Sequence, residues 1–204
     1  KSNQSAISAS EVGIDLLLAA EAALIELASL AERLREIGIA DTDTTNDAND
    51  TATLNAEATS VSDTIDDIVT ALKFNGVAIL GTSSKTFAVV KDQDGNTTSV
   101  KTTDGITATN VSDATNANTA ADTLLGEITE SQGDVSAGIA TLGGYRNAST
   151  SMKAIQLQSA SRLMDTNFAL ETAKLLKNKL ISSYANNMIS EANNIEKDKL
   201  ITLA

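Results

Sequence analysis

An uninterrupted apolar repeat constrains this chain more than any other feature. Leu17, Ala20, Leu24, Leu27, Ala31 and Leu34 alternate spacings of three and four residues. That pattern keeps one helix face against a partner helix along its length. Beside it, Leu16, Ala23, Leu30 and Ile37 repeat every seven residues. The stripe is therefore wide enough to touch more than one neighbour, as in a bundle or an assembly. Glu21, Glu26, Glu32, Arg33, Arg35 and Glu36 occupy the other faces. The chain has no proline, so no rigid ring interrupts the repeat. The stripe predicts a helix from about Ser10 to Ile39, roughly 45 Å long at about 1.5 Å per residue. That is a rod rather than a globule.

Gly38 and the stretch Asp41–Asp50, rich in Asp, Thr and Asn, are expected to end this helix. A second helix is predicted from about Ala48 to Lys73, where Leu54, Ala58, Val61, Ile65, Ile68 and Leu72 keep the same spacing. The short connection favours an antiparallel helix hairpin. Helical periodicity stops at Phe74-Asn75-Gly76. From Thr86 to Thr102 the chain reads as a β-hairpin, with Phe87 and Val89 on one face and turn chemistry at Asp94-Gly95-Asn96. A third helix is expected from near Thr119, on a stripe of Ala121, Leu125, Ile128, Val135, Ile139 and Leu142 with Gln132 as a polar interruption. Gly138, Gly143 and Gly144 weaken it, and Gly143-Gly144 reads as a close backbone approach or a kink. Ile155, Leu157, Ala160 and Leu163 resume the pattern. The last segment, from Asp165 to about Asn194, carries Phe168, Leu176, Leu180, Ile181, Tyr184, Met188 and Ile195 at its end. With no evident partner in the chain, it is a candidate for burial between molecules. The fold class is mainly α, an elongated antiparallel long-helix bundle with a small β-hairpin. Its parts are residues 1–80, 81–118, 119–164 and 165–204.

Composition narrows the function classes. Aromatic residues make up 2% of the chain, so the 42% apolar content rests on Ala, Leu, Ile and Val, which suit a helical seam. There is no cysteine for disulfides or thiolate chemistry and no histidine for general-base or metal work. The net charge of −12 shows no basic face for nucleic acid, and the Lys174, Lys177, Lys179 group reads as a solvated helix face. No apolar run reaches the roughly 20 residues of a membrane span. Nothing at Lys1–Ser10 resembles a signal peptide.

Chemical motifs resolve to structural readings. Asp92-Gln93-Asp94-Gly95-Asn96 departs from a calcium loop, because Gly stands fourth rather than sixth and Thr103 stands where the twelfth-position Glu belongs. Asp66 and Asp67 point about 100° apart on a helix and read as a solvated face. Nucleophile-elbow, P-loop and dinucleotide-binding patterns are absent. Asn96-Thr97-Thr98, Asn110-Val111-Ser112 and Asn147-Ala148-Ser149 match glycosylation triplets, which arise by chance in so Asn/Ser/Thr-rich a chain. No catalytic residue, cofactor or metal is expected.

Over nearly its whole length the chain resembles bacterial flagellin. Gly13-Ile14 followed by Glu21-Ala22-Ala23-Leu24-Ile25-Glu26-Leu27 is similar to that family's first rod helix. Glu32-Arg33-Leu34-Arg35-Glu36-Ile37 resembles its R-x-R-E-L stretch, and Phe74-Asn75-Gly76-Val77-Ala78-Ile79-Leu80 its F-N-G signature. Ser161-Arg162-Leu163-Met164-Asp165, Phe168-Ala169-Leu170-Glu171, Ala192-Asn193 and Leu200 to Ala204 resemble its C-terminal pattern. The resemblance implies a structural subunit of an extracellular flagellar filament, acting by self-assembly in motility. About forty residues separate the F-N-G signature from the third helix, which implies a minimal variable region. Lys1 falls inside the first rod helix of the pattern, so the family's N-terminal segment is expected to be missing and the chain to stay monomeric. The implied assembly and packing residues are Leu17, Leu24, Leu27, Leu34, Leu54, Val61, Ile65, Ile68, Ile128, Val135, Leu176, Leu180, Tyr184 and Met188. The implied partners are other copies of the subunit, an export chaperone, the filament cap, junction proteins and a host Toll-like receptor. The positions matching receptor contacts are Arg33, Ile37 and Glu57, with Ile37 replacing the usual Leu. A hook–filament junction protein and a flagellin-like surface ligand-binding module are the alternatives.

Overall fold

The computed structural model describes residues 2–107 and 111–202. Lys1, Asn110 of one glycosylation triplet, and Leu203 and Ala204 of the C-terminal match lie outside the described residues. The elements are helix α1 (Ser2–Asp41), helix α2 (Ala48–Ala71), strands β1 (Lys73–Phe74), β2 (Val77–Ala78), β3 (Lys85–Val90) and β4 (Thr97–Thr103), and helix α3 (Ala114–Thr202). The chain divides into two compact units, Lys1–Lys153 and Ala154–Ala204.

In the first unit the predicted seam is the core. Leu17, Ala20, Leu24, Leu27, Ala31 and Leu34 of α1 are fully buried. They pack with Ala58, Ile65 and Val69 of α2 and with Ala117, Ala121, Leu124, Ile128, Val135 and Leu142 of α3. Helices α1 and α3 run antiparallel. The Thr115 hydroxyl donates to an Asp41 carboxylate oxygen (3.0 Å) near one end of α1, and Lys153 donates to Gln4 near the other.

Three glycines set how closely these elements meet. A Cβ on Gly38 would stand 2.4 Å from the Asn118 backbone nitrogen. The sequence made Gly38 a breaker, but α1 continues through it to Asp41. Its role is to admit the start of α3. Cβ atoms on Gly13 and Gly138 would meet Leu142 at 2.8 Å and Leu17 at 2.9 Å, so each helix offers a gap to a leucine of the other. Gly143 and Gly144 have nothing within 4 Å. They mark neither a close approach nor a break, because the surrounding helical hydrogen bonds carry α3 through them.

Helix α2 starts on a capping box. The Asp47 carboxylate accepts from the amides of Asn49 (2.7 Å) and Asp50 (2.9 Å), while Asp50 accepts from the Asp47 amide (3.1 Å). It ends at Leu72, whose backbone is extended. A very short hairpin follows, with Phe74 paired to Val77 and Lys73 to Ala78. Asn75 (φ 49°) and Gly76 (φ 81°) are both left-handed, the requirement of a two-residue type I′ turn. The turn sends Ile79 and Leu80 into the core.

Strands β3 and β4 pair antiparallel from Lys85–Thr103 to Val90–Thr97, with an irregularity between Lys85 and Thr86. This is one residue wider at each end than the sequence predicts. Val89 meets Gly13 of α1, and Val100 meets Gly138 of α3. The buried seam position on α3 is Ser131 rather than Gln132. The Ser131 hydroxyl lies 3.1 Å from that of Thr103, so the two satisfy each other out of water. Helix α3 begins at Ala114, ahead of the Thr119 expected, because two side chains of α2 hold its approach. The Val111 amide donates to Ser62 and the Ala114 amide to Asn55 (2.7 Å).

Glycine substitutions test this reading. Gly38→Ala is expected to destabilise the fold by about 1–3 kcal/mol, because the Asn118 backbone must move. Gly144→Ala is expected to stabilise it by roughly 0.5–1 kcal/mol, as alanine loses less entropy in an open helix position. Urea midpoints of the two variants would show opposite displacements.

Candidate assembly surface

The structure separates the candidate residues into two sets. Leu17, Leu24, Leu27, Leu34, Ile65, Ile128 and Val135 are buried inside the first unit. Leu54, Val61 and Ile68 are partly buried against the same core. These ten hold one chain together. Leu176, Leu180, Tyr184 and Met188 lie on the second unit, a single stretch of α3, and are 55%, 62%, 72% and 71% exposed. Phe168, Leu170, Ile181, Ile189 and Ile195 are exposed there too. So dense an apolar surface on one solvated helix is unusual for a monomer.

The sequence reading missed a smaller exposed line on α1. Leu18, Ile25 and Ile39 are exposed and fall on one face with Glu32, at seven-residue steps. The repeat was visible in the sequence. The wider stripe beside it hides which face turns inward.

The receptor-matching residues also divide. The Arg33 guanidinium donates to Glu57 from Nε at 2.9 Å and to Glu36 at 2.8 Å. The hydrogen bond to Glu57, then that to Glu36, raises the Arg33 pKa above its ordinary value. Ile37, one residue past Glu36 on α1, is 1% exposed and belongs to the core. Thus Arg33 and Glu57 form one solvent-accessible polar patch, while Ile37 faces inward.

Elsewhere, polar groups serve local structure. Asp92 accepts from the amides of Asp94 and Asn96 (both 3.0 Å) and from the Asn96 side chain (2.8 Å), which closes the β3–β4 turn. The Asn96 side-chain bond leads in holding the Asp92 carboxyl below its usual range. Lys101 bridges Asp104 at 2.6 Å and Asp134 of α3 at 3.5 Å. Its hydrogen bond lowers the Asp104 pKa. On α2, Asp67 is exposed as expected, but one Asp66 carboxylate oxygen is buried without a hydrogen-bond partner. Burial, then repulsion from Asp63 and Asp67, raises the Asp66 pKa.

A groove of about 460 Å³ lies between α1 and β3, lined by Val12, Gly13, Leu16, Phe87 and Val89 among others. Its walls carry no titratable group, and Ser8 supplies a hydroxyl with no general base beside it in the lining. Among the described residues, no cluster of three or more potential metal ligands is found. No described helix is long and apolar enough to cross a membrane.

The geometry thus defines a class: a long-helix chain whose first unit has a closed seam with a hairpin packed across it, and whose second unit is a helix with exposed apolar side chains. The bacterial flagellin N-terminal helical region matches residues 1–85. Among solved structures, the crystal structure of Bacillus cereus flagellin matches with a TM-score of 0.55 and 24% sequence identity. That match covers 72% of this chain and 93% of the other. The search of curated proteins finds no match. Residues 1–85 are thus similar to the flagellin N-terminal helical region, and the mainly helical fold with two small antiparallel hairpins is flagellin-like.

The Asp66 environment gives a pH test. A carboxyl whose folded pKa lies above its unfolded value favours folding in the protonated form. Its contribution is fully present below the unfolded pKa and is lost as pH rises through the folded one. Asp66→Asn is therefore expected to raise stability at neutral pH and to have little effect in acid. Thermal melts of the two proteins across that range should converge as the pH falls.

Proposed function

We propose that this chain is a structural subunit of the bacterial flagellar filament, outside the cell, and that it acts by self-assembly in motility. The observation that carries this reading is the division of apolar surface. The first unit buries its seam internally, whereas Leu176, Leu180, Tyr184 and Met188 stay exposed. Apolar burial at roughly 25 cal/mol per Å² drives association of such a helix with neighbouring subunits. The flagellin match over residues 1–85 and the flagellin-like fold support the same assignment. The role is structural rather than enzymatic, in keeping with a family of structural proteins. The export chaperone, filament cap, junction proteins and host receptor are proposed partners on the same footing, with Arg33 and Glu57 as the accessible polar pair for the receptor.

Copy number in purified filaments tests the assignment. Quantitative mass spectrometry should find this chain as the bulk subunit. A ring's worth of copies would indicate a hook–filament junction protein instead. Two substitutions separate assembly from folding. Leu180→Asp should leave the melting of the first unit unchanged and abolish incorporation into filaments. Leu24→Ala should lower stability by about 2–5 kcal/mol through loss of buried contacts and the cavity left behind. Normal incorporation of Leu180→Asp would remove the second unit from the interface.

A further inference from the structure

We propose that Asn75-Gly76, at the tip of the β1–β2 hairpin, is a site of spontaneous covalent ageing by deamidation, with water as the only co-reactant. It is the single Asn-Gly step in the sequence. Both residues are exposed. The Asn75 side chain and the Gly76 amide make no hydrogen bond to the protein. A Cβ built on Gly76 would find nothing within 4 Å, so the space beside its Cα is open. Asn96, in the β3–β4 turn, is by contrast tied to Asp92 through both its amide and its side chain.

The chemistry follows from this placement. The Gly76 backbone nitrogen, losing its proton, attacks the side-chain carbonyl carbon of Asn75. A carbon–nitrogen bond forms to close a five-membered succinimide, and the bond to the side-chain nitrogen breaks. That nitrogen leaves as ammonia with the proton. Water then opens the ring at either carbonyl. Opening at the main-chain carbonyl gives isoaspartate, and opening at the side-chain carbonyl gives aspartate. No electrons are transferred.

The two products differ in what the fold tolerates. Aspartate followed by glycine still suits a two-residue type I′ turn, so the aspartyl form keeps the hairpin. Isoaspartate adds a methylene to the main chain. The pairing of Phe74 with Val77 and Lys73 with Ala78 then loses its register. That pairing aims Ile79 and Leu80 into the core, and the Ile79 amide donates to the Leu72 carbonyl at 3.3 Å. The isoaspartyl form is therefore the damaging one.

The test is ageing of the full folded chain in mildly alkaline buffer, followed by peptide mapping. The expected result is a gain of one mass unit on the Asn75 peptide, split into two chromatographic forms, with matching release of ammonia. It should appear ahead of any change at the exposed helical residues Asn147 and Asn178. The isoaspartyl fraction should melt below the fresh protein. Asn75→Asp should melt close to it and release no ammonia from this peptide. A urea-unfolded sample run alongside sets the intrinsic rate. Two outcomes would overturn the proposal: an intact Asn75 in the folded chain while the unfolded one reacts, or reaction at Asn75 no faster than at Asn147 and Asn178.

Discussion

Everything in the first unit depends on the interlock of α1 with α3. Leu17 enters the gap left by Gly138, and Leu142 enters the gap left by Gly13. Each leucine is fully buried only because the facing residue has no side chain. The interlock fixes the antiparallel register of two long helices that a repeating stripe alone would leave free to slide. The β3–β4 hairpin lies across the same places, with Val89 over Gly13 and Val100 over Gly138. Helix register and hairpin position are therefore one constraint.

The polar groups around the core follow from it. Thr103 and Ser131 can pair only if β4 sits at that height on α3. Lys101 then reaches Asp134, and Asn55 and Ser62 receive the amides that lead into α3. Each bond contributes modestly, on the order of 1 kcal/mol. Together they exclude neighbouring registers, because a slipped helix would bury the same groups unpaired. Exposed ion pairs such as Arg33–Glu57 are less bound by this geometry. They remain accessible for contacts outside the chain.

The second unit obeys a different rule. Its helix satisfies its own backbone, but its apolar side chains meet only solvent in the single chain. A surface of this kind is a cost to a monomer, and under the proposed function it is what neighbouring subunits would bury. The first unit folds on an internal seam, and the second keeps its apolar side chains exposed.

Much of the architecture was legible in the sequence. The apolar spacings gave both N-terminal helices, the lack of Pro left them uninterrupted, and the Asp94-Gly95 turn gave the larger hairpin. The Phe74–Leu80 signature was recognised by likeness, and its physical basis, the left-handed Asn75-Gly76 pair, was also present as a plain Asn-Gly step. The sequence determined these features because helix period, turn chemistry and side-chain inventory are local properties. It did not determine what each glycine does, which apolar residues face inward, or which polar residue sits on the α3 seam. Gly38, Gly138 and Gly144 are alike as letters. Only the packed structure makes one a point of closest approach, one a socket and one an open position. The same holds for Ile37 and Ile25, one buried and one exposed on the same helix. Burial depends on which elements arrive from elsewhere in the chain, and no local spacing carries that information.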